Sequence, residues 1–186
     1  RPLCRLFVLV TYMLAVPVTA QIKVKTDTSL PVDANPDNPG GGAGTIVRVS
    51  KYTVLSGIPG IVRTSGTQPL LVEFKKGGRV VTPGTGILVS TGLDSFTAIG
   101  GKVEAVNEGI ILTDAGISVS GDFNNDTKVR SSGSSAIVVN GSIGGTFSNA
   151  GVLEASITAG RGISIGNTVG DGFTNTGRIG KNSKRV

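Results

Sequence analysis

The chain has no tryptophan and no histidine, a single cysteine and a single methionine, and aromatics make up only 4% of its 186 residues. Without histidine, Ser-His-Asp and Cys-His nucleophilic arrangements and histidine-based metal centres are excluded. With one cysteine, Cys4, an intramolecular disulfide framework is excluded, so stability has to come from packing. A core dominated by large aromatics is excluded as well, which leaves Val, Ile, Leu and Ala with a few Phe. The chain is instead rich in glycine, with 29 residues, and its short apolar runs are regularly spaced and separated by Gly, Ser, Thr and Asn. That pattern predicts all-β structure with many turns.

The apolar runs repeat. Phe123, Phe147 and Phe173 are each followed two places later by asparagine, at Asn125, Asn149 and Asn175, and six places later by an aliphatic, at Val129, Leu153 and Ile179. A second run recurs as Ile61, Ile87, Ile110, Ile137 and Ile163, at spacings of 26, 23, 27 and 26 residues. A period of this length marks a stacked-repeat fold in which no coil can bury its apolar face alone. Stacking predicts two isoleucine-type ladders, Ile87–Ile110–Ile137–Ile163 and Val89–Leu112–Val139–Ile165. It also predicts a ladder of Phe74, Phe96, Phe123, Phe147 and Phe173. Counting backwards, Tyr52 takes the aromatic place of the first coil, with Ile58 and Val80 as the aliphatics after Tyr52 and Phe74. After Phe96 the aliphatic slips to Val103, and Gly100-Gly101 absorb the extra residue. Asn125, Asn149 and Asn175 are expected at turns that tolerate left-handed backbone, and Gly151 and Gly177 at bends needing positive φ. Arg63 stands where later coils have an aliphatic, as expected of a capping terminal repeat.

The ends differ from the repeats. Arg1 and Arg5 precede an apolar run from Leu6 to Val16, and Val18-Thr19-Ala20 places small residues before Gln21. Residues 1–20 therefore read as a secretory signal peptide. Residues 21–44, rich in Pro, Asp, Asn and Gly, are expected to form a flexible leader or an irregular N-terminal cap, and residues 45–186 the β-helix repeats. The sixth coil opens at Phe173 but runs into a basic tail, so the repeats are expected to be incomplete at the C-terminus, with self-association through that open edge.

The segments GTFSNAGVL (145–153) and DGFTNTGRI (171–179), alternating with AIVVN (136–140) and GISIG (162–166), resemble the passenger domains of Gram-negative autotransporters. The resemblance covers roughly Thr45 to Ile179 in rhythm. It implies an all-β, right-handed parallel β-helix of about five to six coils. It further implies export, residence at or release from the outer-membrane surface, and a translocator β-barrel on the full-length chain. Such passengers serve in adhesion or virulence, so the implied partner is a glycan or protein on a host or neighbouring cell.

Parallel β-helices also host polysaccharide-cleaving enzymes that work with carboxylates on one face. The candidates are Glu104, Glu108, Asp114, Asp122, Asp126 and Glu154, none of which recurs as a pair at a matched offset in neighbouring coils. Asp122 and Asp126 offer two carboxylates to a calcium ion that wants six to eight oxygens. The Gly144-Gly145-Thr146-Phe147 stretch lacks the aspartate of a calcium nonapeptide. Asn125-Asp126-Thr127 and Asn140-Gly141-Ser142 match the glycosylation sequon. Removing residues 1–20 leaves 16 basic against 12 acidic residues. The Lys75-Lys76-Arg79 and Lys181-Lys184-Arg185 clusters read as solvated turns in a thinly spread excess. The sequence thus predicts no catalytic residues, no cofactor, no metal and no nucleic-acid partner. The expected function is a non-catalytic adhesion module, with a glycan-active β-helix enzyme as the alternative.

Overall fold

A computed structural model describes residues 20–36, 44–156 and 160–181. The described residues form a parallel β-solenoid of about six turns, with no helix among them. Each turn contributes to a long sheet, bends at a corner within it, and then crosses two further sides. The first arm of the long sheet stacks Ala20–Val24, Thr45–Val49, Leu70–Phe74, the start of Phe96–Ala105, the start of Phe123–Ser131, Thr146–Asn149 and Gly172–Asn175. The second arm stacks Val54–Leu55, Arg79–Thr82, the ends of the two long strands, Val152–Ala155 and Arg178–Lys181. A second sheet holds Val32–Asp33, Ile61–Arg63, Ile87–Val89, Ile110–Leu112, Ile137–Val139 and Ile163–Ile165. A third side is marked by Ile117–Val119 paired with Ser142–Ile143, and by single bridges from Leu93 to Val119 and from Ile143 to Val169.

Strand alternation makes the core. In Thr45–Val49, Leu70–Phe74 and Ile137–Val139 the first, third and, where present, fifth residues are buried. Residues in the same column touch the turn above and the turn below. Both predicted aliphatic ladders are present: Ile87, Ile110, Ile137 and Ile163 lie opposite one another in turn, as do Val89, Leu112, Val139 and Ile165. Phe96, Phe123, Phe147 and Phe173 stack with ring centroids 4.8, 5.2 and 4.9 Å apart. Gly100 and Gly101 form the expected bulge, with φ of 71° and 49°, and the register shifts there between Asp126 and Lys128.

The early turns depart from the count. Leu70, not Phe74, lies opposite Phe96, and Phe74 lies opposite Val49. Phe74 is buried at the corner instead, against the Gly100–Gly101 bulge. Leu55, not Ile58, pairs with Val80, and Ile58 is exposed. The reason is corner length. Leu70 and Val80 are ten residues apart where Phe123 and Val129 are six, and the extra residues form projecting turns at Ser50–Thr53 and Lys75–Gly78. In these turns Thr53 N–H donates to Ser50 at 3.2 Å and Gly78 N–H to Lys75 at 2.7 Å. Tyr52 holds one of them with φ of 64° and lays its 67% exposed ring against Gly77 of the next turn, where a Cβ would strike it.

Three further expectations change. The asparagines face inward from strands rather than occupying left-handed turns, and Asn125 and Asn149 are buried. Asn125 Nδ2 donates to Asn149 Oδ1, and Asn149 Nδ2 to Asn175 Oδ1, each at 2.7 Å. Gly151 and Gly177 do not adopt positive φ. They are needed because a Cβ would run into the backbone of the preceding turn. Arg63 is not a cap but a fully buried side chain inside the stack. Its guanidinium donates to the carbonyls of Ser65, Gly66 and Gln68 and to Gln68 Oε1, at 3.0 to 3.3 Å, and so holds the loop that follows it. Burial pushes the Arg63 pKa down, opposed by the charge of Asp94.

At the N-terminal end, Ala20–Val24 pairs in parallel with Thr45–Val49, and Val32–Asp33 with Ile61–Arg63. Residues 20–36 are therefore an irregular first turn of the stack rather than a free arm. Residues 1–19 of the expected signal segment, and the tail beyond Lys181, lie outside the described residues.

Candidate functional site

Columns that point inward build the core, and the columns between them point outward and carry the chemistry. On the second arm one outward column runs Arg79, Lys102, Lys128, and its neighbour runs Val81, Glu104, Arg130, Glu154. The two are laced together. Lys102 approaches Glu104 at 3.3 Å and Lys128 approaches Glu154 at 3.8 Å. Arg130 lies between the two glutamates, at 3.9 Å from Glu104 and 2.8 Å from Glu154, and Arg178 also pairs with Glu154. Burial works to raise the Glu154 pKa, but the Arg130 hydrogen bond and the charges of Lys128, Arg130 and Arg178 together outweigh it, leaving the carboxyl below its ordinary range.

The corner that joins the two arms is basic. Lys25, Lys51, Lys75 and Lys76 are exposed there on successive turns. Lys75 and Arg48 both donate to the Glu73 carboxylate and hold its pKa down. Lys51 Nζ sits 4.7 Å from the centre of the Tyr52 ring. Arg79 makes no ion pair among the described residues. The acids lie mostly elsewhere: Asp33 and Glu108 on or beside the second sheet, Asp114 on the third side, and Asp94, Asp122 and Asp171 at the start of the first arm.

The six candidate carboxylates do not converge. Glu104 and Glu154 share a column, but two rungs apart, about 10 Å at the usual strand spacing, with Arg130 between them. Glu108 accepts from Thr85 Oγ1 at 3.5 Å and from Ser134 Oγ at 3.3 Å. Asp114 accepts from the Gly116 N–H and Asp122 from the Thr146 N–H, both at 2.8 Å. Asp122 and Asp126 are four residues apart on an extended strand, about 13 Å, too far to share a cation. Among the described residues there is no group of three or more carboxylates, histidines or cysteines placed to hold a metal ion. Of the two sequons, Asn125 and Thr127 are buried in the core and Asn140 is exposed.

What sequence reasoning missed is the gathering of charge. The excess of cations is not spread thinly, because turns that project at the corner place lysines about 25 residues apart on one ridge. The extra corner residues, had they been recognised from the ten-residue step between Leu70 and Val80, were the available clue.

Comparison with protein-family models, with curated proteins and with solved structures gives no match. The class is defined by the fold alone, a parallel β-solenoid with a laddered exterior.

Proposed function

We propose that this chain is a non-catalytic, exported β-solenoid passenger module that acts in adhesion at a bacterial outer surface. The observation that carries the reading is the use to which the carboxylates are put. Glu73, Glu104 and Glu154 are neutralised by two or more cations each, and Asp114 and Asp122 cap backbone amides. A glycan-cleaving pair needs one carboxylic acid held protonated by a raised pKa, and Glu73 and Glu154 are shifted the other way. The stack meanwhile offers long, regular outward columns such as Thr97–Asn124–Ser148–Thr174, a surface for contact along the axis. The apolar run before Val18-Thr19-Ala20 and the passenger-like repeats support the export route.

Expression in an exporting Gram-negative host tests both halves. The mature protein is expected to begin at or near Gln21, and beads coated with it are expected to bind cells while beads coated with unfolded protein do not. Glycan turnover that disappears in Glu104→Gln or Asp122→Asn would replace this reading with the enzymatic one.

A further inference from the structure

Three cations stacked in register need an explanation. Arg79 lies directly opposite Lys102, and Lys102 opposite Lys128. Like charges facing one another across parallel strands destabilise a sheet. Glu104 and Glu154 relieve Lys102 and Lys128 from one side only, and Arg79 has no such partner among the described residues. The same line is extended by Lys25, Lys51, Lys75 and Lys76 at the adjoining corner, where Lys75 is the one that pairs with an acid. Even with Glu73, Glu104 and Glu154 paired to Lys75, Lys102 and Lys128, and with Asp27 beside Val54, the ridge keeps a net positive charge, with a cation on each successive turn, about 4.8 Å apart along the solenoid axis.

We propose that this ridge is a docking track for an acidic polysaccharide lying along the axis, its carboxylate or sulfate groups meeting the cations of successive turns. This deepens the adhesion reading and rests on it for the biological setting. Charge complementarity selects the partner: a linear array of fixed positive charge matches a linear, repeating polyanion. Nucleic acid fits less well. Single strands are held by bases stacked on open aromatic faces, and the exposed aromatic at the ridge, Tyr52, has its ring against Gly77 and beneath Lys51.

The test uses the full chain with four probes: heparin, polygalacturonate, neutral dextran and a single-stranded oligonucleotide. Heparin or polygalacturonate is expected to bind, dextran is not, and which of the two binds more tightly separates sulfate from carboxylate recognition. Affinity is expected to fall at least about tenfold between low and physiological salt, since binding to a linear polyanion releases its counterions. The exposed triple variant Lys51→Gln/Lys75→Gln/Lys76→Gln and the double variant Lys102→Gln/Lys128→Gln should each weaken binding severalfold while leaving the thermal transition in place. Arg161→Gln, which removes an exposed cation remote from the ridge, should not. Absence of binding to both acidic glycans, equal binding of all variants, salt-independent binding, or tighter binding of the oligonucleotide would each overturn the proposal. If the triple variant does not fold, the double variant and the salt dependence of the unaltered protein decide. Cell adhesion without glycan binding would sink the track and spare the adhesion reading. Glycan binding without adhesion would do the reverse.

Discussion

In the turns built on Thr45–Val49 and Leu70–Phe74, the inward residue at the middle of the strand is Val47 or Val72; in the turns built on Phe123 and Phe147, the same column is filled by Asn125 and Asn149. The column at the start of the arm changes too, from Thr45 and Leu70 to Phe96, Phe123, Phe147 and Phe173. Ala98 marks the junction, with Val72 on one side and Asn125 on the other. One backbone path thus accepts two interiors. The early turns use aliphatic contact and long projecting corners. The late turns use a stacked-ring ladder, an amide ladder and short corners. Within each column like meets like along the axis, aliphatic against aliphatic and amide donor to amide acceptor, until the amide ladder ends at Asn125 Oδ1, which has no partner beside Ala98, so the requirement is continuity within a column rather than any particular side chain.

The ring ladder is where the two halves should differ most. Phe123 is flanked by rings on both sides, so Phe123→Ala leaves a core cavity between two aromatic planes and is expected to cost about 3–5 kcal/mol. Leu70→Ala at the same column of an early turn is expected to cost about 2–4 kcal/mol. Chemical denaturation of both variants checks the order. A cost below about 1 kcal/mol for Phe123→Ala would mean that the ladder does not hold the late turns together.

Breaking the amide ladder sharpens the comparison. Asn149→Val takes from the buried Asn125 Nδ2 one of its two acceptors, leaving only the Thr127 carbonyl, and is expected to destabilise by about 1 kcal/mol, the cost of an unpaired buried donor. The triple variant Asn125→Val/Asn149→Val/Asn175→Val restores the aliphatic column of the early turns. Its total cost is expected to be well below three times that of the single variant. Strict additivity in thermal unfolding would show that the asparagines act through their own backbone contacts and not as a ladder.

The smallest effect concerns the ion pairs of the second arm, which close over Glu154. Burial acts to raise the Glu154 pKa, but the Arg130 hydrogen bond and the neighbouring charges of Lys128, Arg130 and Arg178 leave it lowered. A carboxyl with a depressed folded-state pKa contributes stability that is present above its unfolded value and lost as pH falls through the folded value. The stability difference between the unaltered protein and Glu154→Gln should therefore be constant above about pH 5 and shrink below about pH 4. A difference that stays constant down to strongly acid pH would mean that the cations do not stabilise the ionised carboxylate.

Much of the fold was legible because a solenoid writes its geometry into the chain. Strand side chains alternate with a period of two and like residues recur about every 25 positions, so Ile87, Ile110, Ile137 and Ile163, and Phe96, Phe123, Phe147 and Phe173, could be aligned from spacing alone. The absence of histidine and of a second cysteine likewise limited the available chemistry without reference to any coordinates. Tertiary structure alone decided the register of the early turns. Phe74 and Val80 stand six residues apart just as Phe123 and Val129 do, and the ten-residue step from Leu70 to Val80 acquires meaning once Leu70 is seen to pair with Phe96, which shows that the corner has lengthened and carried Phe74 out of the ring column. It also decided where the charge lies. Lys51, Arg79, Lys102 and Lys128 are each separated by about a whole turn of chain, and become neighbours only because each turn returns to the same side one strand spacing further along the axis.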